Sequence, residues 1–151
     1  MATPQAKDRI TCHILDTTTG RPARGVRVQL SSAPAPSTSS SPDPTAAPTL
    51  TSAPKTFESL TDDDGRIKVW LPYSDPHASG EVPVYTLEDV LGDITGPSRW
   101  TLRFDVEGHY AAQGIEPFFP EVVVVFTVLE GQGYHVPLLL GPYNYTTYRG
   151  S

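Results

Sequence analysis

The chain has 151 residues and a formal net charge of −6, which indicates one acidic domain rather than two. A hydrophobic fraction of 38% is enough to build a core, and the acidic balance argues against binding to nucleic-acid phosphates. Cys12 is the only cysteine, which excludes an intramolecular disulfide framework and a multi-cysteine metal site. The longest apolar run, residues 122–126, is far shorter than the roughly 20 residues that span a bilayer, so no membrane segment is expected. We therefore predict a single soluble domain over residues 1–151.

The first half of the chain predicts short strands on both sides of a long loop. Residues 10–15 and 26–30 place apolar side chains at every second position, as a strand with one buried face does. Residues 31–56 hold six prolines among serines and threonines and almost nothing large and apolar, which predicts a disordered loop. An Asp64-Gly65 turn then leads into a further strand over residues 67–71.

The second half is also mostly strand in pattern. Four stretches have strand composition: residues 100–104, 122–128, 134–140 and 143–149. The nearly continuous apolar stretch at 122–128 predicts burial on both faces. Two short stretches, residues 86–91 and 107–113, have helical patterns, and Thr86 with Asp89 has the spacing of a capping box. Short strands separated by turn residues predict an all-β fold, an antiparallel β-sandwich.

Two of the four histidines lie on the less apolar faces of predicted strands. Alternation puts His13 opposite the most apolar side chains of the first strand, and it does the same for His135 within residues 134–140. Such a face is typical of an interface or a cleft, and imidazole can accept and return a proton near neutral pH. Spacing alone leaves open the ordinary alternative, in which both are surface or hydrogen-bonded structural residues. His77 and His109 have no obvious pattern of polar partners near them in the sequence, and we interpret both as structural or exposed.

Motifs for metal, nucleotide and serine-nucleophile chemistry are missing. There is no His-x-x-x-His, Cys-x-x-Cys or Gly-x-Ser-x-Gly spacing, and no glycine-rich phosphate loop. Arg66, directly after an Asp-Gly turn, could present its guanidinium to a planar polar ligand, although an arginine at a turn is usually only solvated. From the residues alone, no metal site is expected.

Four separated motifs, taken together, point to one known family. They are residues 13–23 (HILDTTTGRPA), 64–66 (DGR), 134–140 (YHVPLLL) and 148–151 (YRGS). In this order they closely resemble the 5-hydroxyisourate hydrolase family of transthyretin-related proteins. Residues 111–122 look like the short helix and following strand of that family. The YRGS ending looks like the enzyme-type C-terminus, which the hormone-carrying transthyretins lack.

The resemblance implies a fold, an assembly and a reaction. The fold would be a transthyretin-like antiparallel β-sandwich with one short helix, assembled as a homotetramer with active sites at the dimer–dimer interface. The reaction would be hydrolysis of 5-hydroxyisourate, the unstable product of urate oxidation, to 2-oxo-4-hydroxy-4-carboxy-5-ureidoimidazoline. No cofactor and no metal is required.

The resemblance also assigns site residues. By position, the catalytic residues are His13, Arg66 and His135. The histidine pair would activate water, with the choice of base left open, and Arg66 would hold the oxygen edge of the substrate and stabilise the oxyanion. The substrate-binding wall would be completed by the last four residues, Tyr148, Arg149, Gly150 and Ser151.

Three features of the sequence depart from the family pattern. Gly133 stands where the family commonly has a histidine, Gly141 replaces a common serine, and two loops are longer than in the smallest members.

The main alternative to the hydrolase function is a non-catalytic carrier of a small aromatic ligand. A further alternative is an interaction protein that uses the proline-rich loop. A cytoplasmic location is expected, because the N-terminus lacks the apolar core of a secretory signal and the chain ends in Arg-Gly-Ser instead of a Ser-Lys-Leu-type peroxisomal address. A peroxisomal location, which the family resemblance allows, is kept as the alternative.

Overall fold

A computed structural model describes residues 7–32, 55–73 and 85–150. Within these ranges the chain forms ten strands and two short helices. In chain order they are β1 (Ile10–Asp16), β2 (Arg21–Pro22), β3 (Arg27–Ser32), β4 (Thr56–Leu60), β5 (Arg66–Ile67), β6 (Leu71–Pro72), α1 (Leu87–Gly92), β7 (Ser98–Asp105), α2 (Val106–Ala111), β8 (Glu121–Val128), β9 (Tyr134–Leu140) and β10 (Tyr145–Thr147). In the part of the chain that the structure describes, no helix combines the length and apolar character needed to cross a membrane.

The strands form two five-stranded sheets, which confirms the predicted β-sandwich. The first sheet has the order β10-β9-β1-β2, with β5 also paired to β1. The second has the order β6-β4-β3-β7-β8. Apolar side chains from both sheets interdigitate in one cluster, in which Ile10, Leu30, Trp100 and Leu138 are fully buried.

One strand pair departs from the predicted antiparallel arrangement. β1 and β9 run parallel over their whole length, from the pair Ile10 and Tyr134 to the pair Asp16 and Leu140. Antiparallel neighbours can be joined by a tight turn, whereas this pair is joined through most of the chain, so its direction is set by the sandwich connections and not by a local turn. Alternation along one strand carries no information about partner direction, which is why the sequence could not reveal it.

The prediction that residues 122–128 are buried on both faces is wrong for the single chain. β8 is an edge strand that buries Val122 and Val128 on the core side, whereas Val123 and Val125 on the outer side are 43% and 56% exposed. A run of valines has no polar residues to mark its outer face, so periodicity could not distinguish one buried face from two.

The single strand predicted over residues 67–71 is wrong: the chain forms β5, which pairs with β1, and then crosses to the other sheet, where β6 pairs with β4. The remaining predictions differ mainly at element boundaries. Both helical stretches are helices, two instead of the one that the resemblance implied, and Thr86 and Asp89 form the expected capping box at α1. The last strand is shorter than residues 143–149. The predicted loop at 31–56 is wrong at its ends, which belong to β3 and β4, and its interior, residues 33–54, lies outside the described residues.

Candidate active site

Two neighbouring strands of the first sheet carry both histidines on one face. The parallel register of β1 and β9 places Thr11 beside His135, while Cys12 and Val136 pair on the opposite, core-facing side. His13 follows on the same outer face as His135, and their ring centroids are 6.4 Å apart with planes inclined by 27°. The parallel pairing therefore brings together two side chains that are distant in the sequence.

Arg66 is placed beside His13 by an acidic turn. The Asp62 carboxylate accepts a hydrogen bond of 2.9 Å from the backbone N–H of Arg66. Gly65, at φ +73°, lies so close to β1 that an added Cβ would be 2.5 Å from the Ile14 carbonyl oxygen, so only glycine fits. The chain then enters β5, whose register pairs Arg66 with His13. The Asp-Gly-Arg motif thus has a geometric reason.

The C-terminal segment packs against His135. The Gly150 backbone N–H donates a 2.8 Å hydrogen bond to the His135 carbonyl oxygen. A Cβ on Gly150 would lie 2.9 Å from His135 Cδ2 and 2.9 Å from Pro137 Cγ. The Thr147 hydroxyl donates to the Pro137 carbonyl oxygen at 2.8 Å. The last described residues therefore pack so close to His135 that a side chain at position 150 would collide with its ring.

The two histidines open onto a cleft of about 390 Å³. The predicted site residues that line it are His13, Arg66, His135, Tyr148 and Gly150. Arg149 lines instead an adjoining, more apolar groove of about 430 Å³, where its guanidinium carbon lies 4.9 Å from the centre of the Tyr134 ring. Ser151 lies outside the described residues. The cleft thus contains the three predicted catalytic side chains together.

The surroundings of His13 favour its neutral form. Burial lowers the pKa of His13, and the neighbouring Arg66 charge lowers it further. A backbone hydrogen bond at Asp64 and the negative charges of Asp62 and Asp64 act in the opposite direction, but they do not outweigh the first two effects. At neutral pH the His13 imidazole is therefore unprotonated and able to accept a proton.

His135 is also held neutral, and a hydroxyl engages one of its ring nitrogens. Burial lowers the pKa of His135, followed by the charge of Arg66 and by His13 and Lys7. The Thr11 hydroxyl oxygen lies 2.8 Å from His135 Nδ1. This contact leaves Nε2 as the ring nitrogen that Thr11 does not engage, and it limits rotation of the ring.

Sequence reasoning missed Thr11 and the partner of His109. Thr11 stands two positions before His13 and so shares its face, a signal that strand alternation contained. The interpretation of His109 as structural is confirmed, because its Nε2 lies 3.0 Å from the buried Asp16 carboxylate. That partner is 93 positions away in the sequence, beyond any local pattern. His77 lies outside the described residues.

No metal centre is evident where the structure can be described. Among residues 7–32, 55–73 and 85–150, no group of three or more His, Cys, Asp or Glu side chains is arranged to hold a metal ion. The cleft offers a ligand two neutral imidazoles, a guanidinium, two lysine ammonium groups and a tyrosine.

Comparison with known proteins places these features in a family context. The model described as the HIUase/Transthyretin family matches residues 10–150. The mouse (Mus musculus) 5-hydroxyisourate hydrolase is 36% identical over 143 residues, 94% of each chain. A probable 5-hydroxyisourate hydrolase of Schizosaccharomyces pombe is 34% identical, over 94% of this chain and 90% of its own. The solved structure of Klebsiella pneumoniae 5-hydroxyisourate hydrolase superposes with a TM-score of 0.59 at 25% identity, covering 94% of this chain and 97% of the other.

Proposed function

The chain belongs to the HIUase/Transthyretin family, and on this basis we propose that it hydrolyses 5-hydroxyisourate to 2-oxo-4-hydroxy-4-carboxy-5-ureidoimidazoline in urate degradation. Relatives that carry the hydrolase name align over nearly its full length. The observation that carries the proposal is the cleft in which His13, His135 and Arg66 meet. A carrier would not require two neutral imidazoles and a guanidinium at one point.

The chemistry assigns a task to each of these groups. Water is a poor nucleophile until a base removes its proton, and an imidazole held neutral at physiological pH can do so. As the water oxygen bonds to the ring carbonyl carbon, negative charge develops on the carbonyl oxygen, and the Arg66 guanidinium stabilises it. The carbon–nitrogen bond then breaks and the nitrogen takes the proton that the base removed from water. The ring thereby opens to a carboxylic acid, which loses its own proton to solvent and becomes a carboxylate.

His135 is well placed to act as the base within the histidine pair. When His135 Nδ1 donates its proton to the Thr11 hydroxyl oxygen, Nε2 is unprotonated and free to accept a proton from water. His13 has no such hydroxyl among its described hydrogen-bond partners, and it adjoins Arg66 directly in the sheet register. In this arrangement His13 orients the water or returns the proton to the leaving nitrogen.

Tyr148 and Gly150 complete the described part of the substrate-binding wall in this proposal. Both line the cleft, Gly150 through its close approach to the His135 ring. Arg149 reaches substrate only across the edge shared with the apolar groove, and Ser151 is kept as a substrate-binding residue on the basis of the family resemblance alone. We propose that the whole chain acts as one hydrolase domain that needs neither metal nor cofactor.

The assembly we propose is a homotetramer. β10 lies at one edge of the first sheet and β8 at one edge of the second, so in the described part of the chain each has one side free to pair with another chain. Large apolar side chains near these edges are exposed in the single chain, among them Phe118 at 69% and Tyr143 at 74%. Patches of this kind usually mark protein–protein contacts. Size-exclusion chromatography with light scattering measures the stoichiometry directly.

The compartment we propose is the cytoplasm. The buried free thiol of Cys12 suits its reducing conditions.

The apolar groove beside the cleft favours the second candidate, a carrier of a small aromatic ligand. Its volume of about 430 Å³ and its lining by Val124, Phe126 and Leu129 suit such a ligand. The two functions differ in turnover: a carrier binds an aromatic probe with no effect on 5-hydroxyisourate, whereas the hydrolase shortens its lifetime.

The experiment generates 5-hydroxyisourate with urate oxidase and follows its ultraviolet decay. The wild-type protein should accelerate the decay in proportion to its concentration, and Arg66→Gln should lower kcat by about 10²–10³-fold, as loss of one oxyanion donor does. Arg24→Gln is the matched control, because Arg24 is exposed and its ion pair with Asp63 is 3.7 Å long. Equal rates for these two variants would remove Arg66 from the mechanism, and no acceleration by folded wild-type protein would leave the carrier.

A further inference from the structure

Lysine is rare in this chain, and its placement is uneven. There are only three lysines, Lys7, Lys55 and Lys68, and two of them line the cleft that holds the histidines. We propose that Lys7 and Lys68 form a cationic rim that draws the anionic substrate into the active-site cleft. This inference rests on the proposed hydrolase function and adds two substrate-attracting residues to it.

The two lysines are held side by side by the backbone. The Asp8 N–H donates a 2.8 Å hydrogen bond to the Lys68 carbonyl oxygen, which fixes the residue after Lys7 against Lys68. The Asp8 carboxylate in turn accepts a 2.8 Å hydrogen bond from the Trp70 N–H. Both lysine side chains are exposed, as groups that act on a ligand approaching through solvent must be.

Local charge at the cleft is opposite in sign to that of the whole molecule. The chain carries −6, so at long range it repels an anion. Among the residues that the structure describes, the cleft lining contains Lys7, Arg66 and Lys68 and no aspartate or glutamate. The acidic groups that act on His13 are Asp62 and Asp64, on the turn before Arg66. The cleft is thus a positive region on a negative protein.

The clustering of positive charges at the cleft lowers the stability of the fold, which suggests that it serves another purpose. Cations held close together repel each other and destabilise the fold slightly. A cleft lined by one sign of charge concentrates field lines and raises the association rate of oppositely charged ligands by about 10–10³-fold. The Lys7 charge also reaches the reacting groups, because it contributes to the lowered pKa of His135. The arrangement therefore stabilises an anion at the cleft rather than the fold.

The chemistry of the proposed reaction supplies the matching anion. The substrate presents a planar edge of anionic oxygens, and the attacked carbonyl gains further negative charge during the reaction. Arg66 binds this edge inside the cleft, where a guanidinium fits two oxygens. Lys7 and Lys68, as flexible point charges at the rim, act earlier, on approach and capture. Their effect should therefore appear in kcat/KM and leave kcat nearly unchanged.

The test compares Lys7→Gln, Lys68→Gln and the double variant with Lys55→Gln. Lys55 is the matched control, because each single change removes one positive charge but Lys55 lies 5.1 Å from the Tyr85 ring centre, away from the cleft. At low ionic strength each rim variant should lower kcat/KM about threefold and the double variant about tenfold, while Lys55→Gln stays at the wild-type value. Lys7→Arg and Lys68→Arg should retain wild-type rates, since they keep the charge.

Salt separates this electrostatic role from a structural one. The Debye length falls from about 30 Å at 0.01 M to about 3 Å at 1 M, so the difference in kcat/KM between the wild type and the double variant should shrink over this range until the two values converge. A double variant that equals Lys55→Gln at low salt, or that loses activity with an unchanged salt dependence, would overturn the inference while wild-type turnover still supports the hydrolase. If the wild-type protein shows no turnover, the proposed function itself fails.

Discussion

A methyl group added at Gly150 should impair catalysis without unfolding the protein. In Gly150→Ala the new Cβ would be 2.9 Å from both His135 Cδ2 and Pro137 Cγ. Carbon atoms in contact normally lie about 3.5–4.0 Å apart, so the ring or the C-terminal segment must move by roughly 0.6–1.1 Å. A misplacement of about 1 Å in an active site costs on the order of 10²-fold in rate. We therefore expect kcat to fall by about two orders of magnitude.

The assay follows 5-hydroxyisourate decay and thermal unfolding in parallel. Gly92→Ala is the matched control, because Gly92 lies in the last turn of α1 and a Cβ there meets no heavy atom within 4 Å beyond the backbone of that helix. The control should keep wild-type kcat, and Gly150→Ala should keep a melting temperature close to wild type. Wild-type kcat in Gly150→Ala would refute the argument that close contact at this glycine positions His135.

Two further predictions concern pH and stability. Because the pKa values of His13 and His135 are both lowered, the acid limb of kcat/KM should lie below pH 6.5, the ordinary imidazole value; a limb at or above it would contradict the neutral-base assignment. Asp16→Ala should lower the free energy of unfolding by about 2 kcal/mol in urea titrations, because it leaves the partly buried His109 and the Thr18 N–H without their acceptor; an unchanged midpoint would count against that role. Burial raises the pKa of Asp16, but hydrogen bonds from Thr18 and His109 outweigh burial and hold that pKa below its usual value. The stabilisation that Asp16 provides is therefore fully present above the unfolded carboxylate pKa of about 4, and it is lost as pH falls through the folded pKa.

The strand faces that carry the site could be predicted, because alternation is a local property. The pattern of β1 and β9 was enough to place His13 and His135 away from the core. Alternation could not say that the two strands are neighbours: Thr11 and His135, in hydrogen-bond contact, are 124 positions apart in the sequence. The grouping of the two histidines and Arg66 in one site could be predicted only from the family resemblance.

Other features depended on contacts that no local pattern encodes. The valine-rich sequence of β8 is compatible with burial of one face or of both. Its position at the edge of the sheet leaves the outer face exposed in the single chain. His109 finds its carboxylate at Asp16 across the fold. The cationic rim could not be predicted, because nothing in the local sequence distinguishes Lys7 and Lys68 from other surface lysines. The backbone hydrogen bond at Asp8 is what places them together.

The most direct test of the central claim is the rate at which the purified protein hydrolyses 5-hydroxyisourate generated in situ. Wild-type, His13→Ala and His135→Ala proteins would be compared at equal concentration, with assembly checked by light scattering. The two-histidine cleft predicts accelerated decay for wild type and loss of nearly all acceleration in each variant with assembly intact. Wild-type rates in both folded variants would contradict the assignment of water activation to this pair.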